Sequence, residues 1–216
     1  MKSALLVLNG PRPSGKLLRA AAAGAGIVAC ADGGLKNALA CGLSPRVVIG
    51  DMDSRPRRTR PIRELSYICD FDENRSDFEK SLDWLRAVGC RRVLISGVRG
   101  GRLDHEMVNW AVVRRWSRRL EIVVIDAGFA HHVGKGLRRF PGAKGRTVSL
   151  VADSGSTVVT TSGLRYPLKK ERLPPGSRGL SNATTRESFS VQVHRGGVWV
   201  VMPDNPANPL KSLKSP

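Results

Sequence analysis

The chain has 216 residues, of which 41% are apolar, 25% charged and 5% aromatic, a composition typical of a globular protein with a buried core. No apolar run approaches the roughly 18–20 residues that a helix needs to span a bilayer, and the opening MKSALLVLNG fits a first strand better than a signal peptide. The formal net charge is +18, yet the clusters RPRRTRPIR (55–63) and RRWSRR (114–119) lack the interleaved aromatic side chains that stack bases, which disfavours a nucleic-acid-binding protein.

The first 126 residues alternate runs rich in Val and Ile with segments of helical periodicity. The runs 4–8, 27–32, 46–50, 65–70, 91–97 and 121–126 predict strands, and the segments 16–24, 35–42, 77–89 and 104–119 predict helices. This alternation predicts an α/β domain over 1–126, with a mostly parallel sheet and helices on both faces. Ligands bind such sheets beyond the carboxyl ends of the strands.

After residue 127 the pattern changes to short strands separated by Gly, Pro and Ser turns. The strand-like runs are RTVSLVA (146–152), STVVTT (156–161), SFSVQVH (188–194) and GVWVVM (197–202). We expect a smaller, sandwich-like all-β domain over 127–216, with a loose tail from about residue 203.

The four cysteines, Cys30, Cys41, Cys69 and Cys90, are widely spaced, and three of the four lie within apolar runs. Their spacing fits neither a zinc ligand set nor a disulfide framework. Because thiols stay reduced in the cytosol, the sequence predicts a cytoplasmic protein.

The segment GPRPSGKL (10–17) matches the phosphate-binding pattern G-x-x-x-x-G-K up to its last position. That position is Leu17, where a Ser or Thr hydroxyl should reach Mg²⁺. Pro11 and Pro13 also remove two backbone N–H donors from a loop whose function is to present them. A genuine P-loop is therefore disfavoured, although a loop beside a nucleotide stays open.

Nine of the 18 acidic residues fall between Asp51 and Asp83, inside an otherwise basic chain. Asp51 and Asp53 end the third predicted strand, where side chains two residues apart lie about 6–7 Å from each other. Their repulsion is about 2–3 kcal/mol at an effective dielectric near 20. A cap needs only one Asp, and Mg²⁺ held with substrate phosphates would offset the repulsion, so we favour a metal site over a simple turn.

Two further acidic residues follow predicted strands or open predicted helices. Asp32 ends the second strand, where it could cap the next helix or approach a nucleotide, and the residues alone leave both open. The segment SDFE (76–79) is a capping box between Ser76 and Glu79. Asp77 is not needed for that box and could be a third metal carboxylate.

The loop after the fifth strand, SGVRGGRLDH (96–105), combines glycines with arginines. We expect its backbone N–H groups to be free near the helix start at Gly97, Gly100 and Gly101, with Arg99 and Arg102 available to phosphate. Asp104 is a plausible N-cap of the following helix. In the second domain, Ser181 and Asn182 are typical of a turn, and the alternation around Trp199 predicts a core position.

Taken in order, several of these segments resemble the thiamine pyrophosphokinase family. They are ADGG (31–34), VVIGDMDS (47–54), SDFEKSL (76–82), GGRLDH (100–105) with Asn109 following, TSGLRYPL (161–168) and GLSN (179–182). The resemblance implies an ATP-binding α/β domain, a following β-sandwich domain and a homodimer with thiamine bound between subunits. It also implies a requirement for Mg²⁺ and the transfer of an intact diphosphate from ATP to the thiamine hydroxyl, which leaves AMP.

Carried onto this chain, the resemblance assigns roles to individual residues. The metal and the triphosphate would be held by Asp51, Asp53 and Asp77, and the nucleotide edge of the site would be lined by Asp32, Gly33, Gly34 and Ser54. The transferred phosphates and the substrate hydroxyl would meet Arg102 and Asp104. Thiamine would contact Ser181 and Asn182. The sequence departs from the family pattern at Asn74, where an acidic residue is usual, and at Ser76, which replaces Thr but preserves the cap.

Alternative functions remain at this point. A kinase acting on another alcohol, such as a different pyrimidine or a pterin, would use similar residues. A P-loop-like kinase would release ADP instead of AMP, and a non-catalytic basic protein would bind nucleic acid in a salt-dependent way.

Overall fold

The computed structural model describes residues 1–53, 64–126, 128–141 and 144–203. The chain divides into two compact units, Met1–Asp126 and Ala127–Pro216, which we describe separately. Nearly all of the expected loose tail, 204–216, lies outside the described residues. Within the described parts of the chain, no helix combines the length and apolar character needed to cross a membrane.

In the first unit, the described residues form a six-stranded parallel sheet, as the alternating pattern predicts. Its strands run in the order β6-β5-β1-β2-β3-β4, and their bounds are β1 Ser3–Val7, β2 Ile27–Ala31, β3 Val47–Gly50, β4 Ser66–Cys69, β5 Arg92–Ser96 and β6 Glu121–Ile125. Consecutive residues of β1, β3, β5 and β6 are buried, which is typical of parallel strands covered on both faces.

Outside the undescribed segment 54–63, four helices connect these strands: α1 Gly15–Ala23, α2 Gly34–Ala40, α3 Asp77–Ala87 and α4 Leu103–Trp116. The predicted capping box of α3 is confirmed, because Ser76 Oγ accepts from the Glu79 N–H at 3.3 Å and Glu79 Oε2 accepts from the Ser76 N–H at 3.3 Å. Phe78, Leu82 and Leu85 bury one face of α3 against the sheet.

The described part of the second unit contains eight antiparallel strands. They form two sets, β7-β14-β9-β12 and β8-β13-β10-β11. Their bounds are β7 Phe129–Val133, β8 Gly136–Pro141, β9 Thr147–Ala152, β10 Val158–Ser162, β11 Glu171–Arg172, β12 Asn182–Ala183, β13 Ser188–Arg195 and β14 Val198–Met202. Buried and partly exposed residues alternate along β13, and Trp199 is core, as expected, with 8% of its surface exposed.

The sequence patterns missed β7 and β8. Their segments, FAHHV and GLRRFP, carry adjacent His and Arg residues that interrupt the apolar alternation. The structure buries His131 between the rings of Phe129 and Phe140, with centroid distances of 5.9 and 5.6 Å. The aromatic packing of the unit therefore offsets the unfavourable pattern of these strands.

Candidate active site

The loops that follow five of the parallel strands, β1 to β5, surround one cavity of about 1100 Å³ in the first unit. Asn9 follows β1, Asp32 follows β2, Asp51 follows β3 and Gly97 follows β5, and all four line the cavity. Parallel strands bring their carboxyl ends to one edge of the sheet, so residues distant in sequence meet there. The cavity therefore lies at the edge of the sheet where ligands are expected from the sequence.

Three of the carboxylates that line this cavity lie close together. Asp32, Asp51 and Asp53 each offer an oxygen, and these oxygens lie within 4.8 Å of one another. Asp51 Oδ1 also accepts from the Asp53 N–H at 3.1 Å, which fixes the turn between them. The sequence grouped Asp51 and Asp53 with Asp77, but the structure brings Asp32 into the tightest group. Carboxylate oxygens are the type of ligand that Mg²⁺ prefers in proteins.

Asp77 lines the same cavity from the first turn of α3. A Cβ built on Gly50 would lie 2.8 Å from both Asp77 Cγ and Asp32 Cβ, so the missing side chain lets these residues approach. Burial raises the pKa of Asp77, the Lys80 ammonium opposes that shift, and the charges of Asp51 and Asp32 add to it.

Lys80 is a site residue that the sequence analysis missed. It is 4% exposed, and its Nζ donates to the Asp70 carbonyl at 2.7 Å and to Asp77 Oδ1 at 3.3 Å. A buried ammonium needs such partners. Its spacing of three residues from Asp77 on one helix could have indicated the contact.

The loop between β5 and α4 differs from expectation. The N–H groups of Gly97 and Arg99 donate to Asp126 Oδ1 and Oδ2 at 2.6 and 3.1 Å, and the Gly100 N–H donates to Glu106 Oε2 at 2.7 Å. The expectation that the amides of Gly97 and Gly100 are free is therefore wrong. Carboxylates of the same chain already accept hydrogen bonds from these donors. One of them, Asp126, comes after α4 and β6 in the chain.

Arg102 and Asp104 form an exposed ion pair at the start of α4. Two hydrogen bonds join them, Arg102 Nη2 to Asp104 Oδ2 at 2.6 Å and Nε to Oδ1 at 3.2 Å. The Arg102 hydrogen bonds and the His105 N–H lower the pKa of Asp104 to about 2. The prediction that Asp104 caps α4 is wrong, because the helix begins at Leu103 and the N-cap is Arg102.

The residues after β2 divide between the cavity and the packing of α2. The N-cap of α2 is Gly33, with no side-chain capping bond, so the capping alternative for Asp32 is wrong. Gly33 lines the cavity. A Cβ on Gly34 would lie 2.0 Å from the Val7 carbonyl oxygen, so this glycine serves the close contact of α2 with β1.

Among the described residues, the cavity lining contains Arg102 but neither Gly34 nor Asp104. Asn37 is a second lining residue that the sequence analysis missed. It is 7% exposed, and its Nδ2 donates to the carbonyls of Leu8 and Gly10 at 3.1 and 2.9 Å. No local pattern marks it, since its partners lie 29 and 27 residues away.

The expected substrate residues of the second unit have distinct environments. Ser181 is exposed, with a φ of +54°, and its N–H donates to Ser149 Oγ at 3.1 Å. Asn182 is 7% exposed, and its side-chain amide bonds to both the N–H and the carbonyl of Tyr166 at 3.0 and 2.7 Å. Asn182 thus holds the Tyr166 segment in place. Ser54 lies outside the described residues.

Comparisons with known proteins agree with this architecture. The family described as "Thiamin pyrophosphokinase, catalytic domain" matches residues 18–125, and "Thiamin pyrophosphokinase, vitamin B1 binding domain" matches residues 135–198. No curated protein sequence is significantly similar to the chain.

Solved structures show the same fold. A thiamine pyrophosphokinase from Bacillus subtilis is 21% identical with a TM-score of 0.81, over 93% of this chain and 98% of that one. One from Geobacillus thermodenitrificans is 22% identical with a TM-score of 0.80, over 95% and 99%. One from Candida albicans is 15% identical with a TM-score of 0.70, over 93% and 89%.

The fold and the cavity define an α/β enzyme with an attached antiparallel β unit, as predicted. The chain belongs to the thiamin pyrophosphokinase family. Its function is that of this family, and the predictions of family, fold class and enzyme activity are confirmed.

Proposed function

We propose that the chain transfers the diphosphate group of ATP, in the presence of Mg²⁺, to the hydroxyl of thiamine and releases AMP. The observation that carries this proposal is the convergence of Asp32, Asp51 and Asp53 on one cavity, with oxygens within 4.8 Å of one another. Such a group repels itself and favours a divalent cation.

The donor set fits Mg²⁺, which prefers oxygen ligands and often shares them with substrate phosphates. Asp51 and Asp53 would hold it, with Asp32 or Asp77 completing the protein ligands. When bound, the ion would neutralise charge that develops on the transferred phosphates.

The chain's own residues position the two substrates. Asp32, Gly33 and Ser54 are proposed to lie along the nucleotide, and the exposed guanidinium of Arg102 is suited to a bidentate phosphate contact. Diphosphate transfer depends mainly on such positioning and on charge neutralisation.

Asp104 is proposed to orient the thiamine hydroxyl or to accept its proton. While Arg102 is paired with it, Asp104 has a pKa of about 2, which makes the carboxylate a weak base near neutral pH. A contact between Arg102 and phosphate would release Asp104 from its ion pair, so the two roles are linked. Ser181 and Asn182 are proposed to serve thiamine, with Ser181 the more accessible of the two.

We also propose a homodimer and a cytoplasmic location. Leu103 and Met107, four residues apart on one face of α4, expose 73% and 66% of their surface, and neighbouring exposed apolar side chains are typical of an interface. All four cysteines are free thiols, which suits a reducing compartment. Sedimentation equilibrium would test the dimer, and a monomer at micromolar concentration would contradict it.

One experiment tests the reaction. Purified protein is incubated with thiamine and Mg²⁺–ATP, and both products are identified by mass. Thiamine diphosphate and AMP in equal amounts are expected, and ADP would instead indicate an ordinary kinase. Omission of Mg²⁺ and the Asp51→Asn variant are the matched controls, and activity unaffected by either would remove the metal site from the proposal.

A further inference from the structure

The loop Gly97–Arg102 carries Arg102 into the cavity yet has little local structure of its own. Gly97, Gly100 and Gly101 adopt φ values of +86°, +76° and +81°. Three glycines within five residues give a backbone many accessible conformations. A defined position for Arg102 therefore requires contacts from outside the loop.

Two carboxylates supply these contacts from different elements. Asp126 follows β6 and accepts from the Gly97 and Arg99 N–H groups, while Glu106 lies in α4 and accepts from the Gly100 N–H. A side-chain amide adds a third link, because Asn109 Nδ2 donates to the Val98 carbonyl at 3.0 Å.

Asp126 is the most informative of the three. It is 4% exposed, and a buried carboxylate is costly unless hydrogen bonds compensate for its lost hydration. Burial raises the pKa of Asp126, and the backbone N–H bonds of the loop oppose that shift. The compensation comes from the loop itself, so the charge of Asp126 and the conformation of the loop depend on each other.

We propose that Asp126 is a positioning residue that fixes the loop Gly97–Arg102, so that the Arg102 guanidinium, and not the amides of Gly97, Arg99 and Gly100, meets an anionic phosphate group of the nucleotide. The inference rests on the proposed function. It also follows from the occupied amides, since N–H groups bonded to Asp126 and Glu106 are not available to phosphate. Glu106 is the second support of the same loop.

The Asp126→Asn variant tests this arrangement with little change of volume. One oxygen of the carboxylate becomes an NH₂ group that faces either the Gly97 or the Arg99 N–H, and two donors cannot bond. Hydrogen exchange of the peptide covering 97–102 should be at least about tenfold faster in the variant. Glu121→Gln is the matched control, because Glu121 lies at the other end of β6 and pairs with Arg92 at 2.9 Å.

Kinetics then separate positioning from simple destabilisation. We expect Asp126→Asn to lower kcat/KM for ATP on the order of 10–100-fold, since small displacements of reacting groups are that costly. The KM for thiamine should stay within about threefold, and Glu121→Gln should leave both constants unchanged. In an Arg102→Ala background, Asp126→Asn should cost less than about threefold further, because it acts through Arg102.

The proposal would be overturned if Asp126→Asn lowered kcat/KM for ATP as much in the Arg102→Ala background as in the unmodified chain. Unchanged hydrogen exchange of the peptide covering 97–102 would overturn it as well. If Asp126→Asn does not fold, Glu106→Ala and Glu106→Gln replace it: Gln keeps an acceptor for the Gly100 N–H and should retain activity that Ala loses. Equal activity in these two variants would also overturn it. Failure of the proposed function would look different, because the unmodified chain would then form no thiamine diphosphate. Hydrogen exchange of the peptide covering 97–102, compared between Asp126→Asn and the unmodified chain, would still show whether Asp126 fixes the loop.

Discussion

Replacing Asp51 by Asn should make the protein more stable and less active at once. At 4.8 Å, the repulsion between two carboxylates is about 3.5 kcal/mol at an effective dielectric of 20 and about 0.9 kcal/mol in bulk water. Asp51 and Asp53 are exposed, so the lower value is appropriate. Relief of two such pairs, with Asp32 and with Asp53, gives about 1–2 kcal/mol without metal. The side-chain carbonyl introduced by Asp51→Asn can still accept from the Asp53 N–H, so the turn persists.

The assay is thermal unfolding in the presence of a chelator, followed by product formation with Mg²⁺–ATP. We expect the unfolding midpoint to rise by about 2–8 °C and the rate to fall about 10²–10³-fold, as when one charge-stabilising group is removed. Glu187→Gln makes the same change of net charge at an exposed position of the second unit and should change neither quantity. A midpoint that falls, or a rate that is unchanged, would refute the carboxylate cluster as a metal site.

Three further predictions concern the same region. Gly50→Ala, at a φ of +155°, would place a Cβ 2.8 Å from Asp32 and Asp77; we expect a loss of about 1–3 kcal/mol in stability and about tenfold or more in kcat. Gly89→Ala is the control, because Gly89 has a φ of +88° but no atom within 4 Å of its added Cβ; it should lower stability and leave kcat unchanged. An equal loss of kcat in both variants would contradict the contact of the Gly50 position with Asp32 and Asp77. The pKa of Asp77 in the folded protein is raised above 3.8. Its contribution to folding stability therefore falls as the pH rises through that folded-state pKa. On acidification, Asp77 takes up its proton while the pH is still above 3.8, and the carboxylate needed for Mg²⁺ is lost. The acid limb of kcat/KM should therefore lie above pH 3.8, and a limb below that pH would contradict the role of Asp77. Ser76→Ala should cost about 1 kcal/mol in urea unfolding and Ser76→Thr much less, whereas equal losses would exclude the capping bond.

Local patterns in the sequence were sufficient where the physical cause is itself local. The capping box between Ser76 and Glu79 depends on residues three apart, and the strands and helices of 1–126 depend on apolar periodicity. Asp51 and Asp53 were identified because one strand end carries both. The prediction for the start of α4 was wrong, because Arg102 and not Asp104 is the N-cap. Competing contacts decide the end of a helix within a residue or two, and local patterns do not resolve them.

The sequence by itself determined a parallel α/β unit, an antiparallel β unit and an acidic strand end inside a basic chain. Only the tertiary structure decided that Asp32 joins Asp51 and Asp53, because that depends on β2 lying next to β3. The burial of Lys80 between Asp70 and Asp77 and the contact of Asp126 with a loop 29 residues earlier were decided in the same way. Periodicity specifies which residues face inward, but the pairing of strands specifies which of them meet, and a site made from several strand ends depends on that pairing.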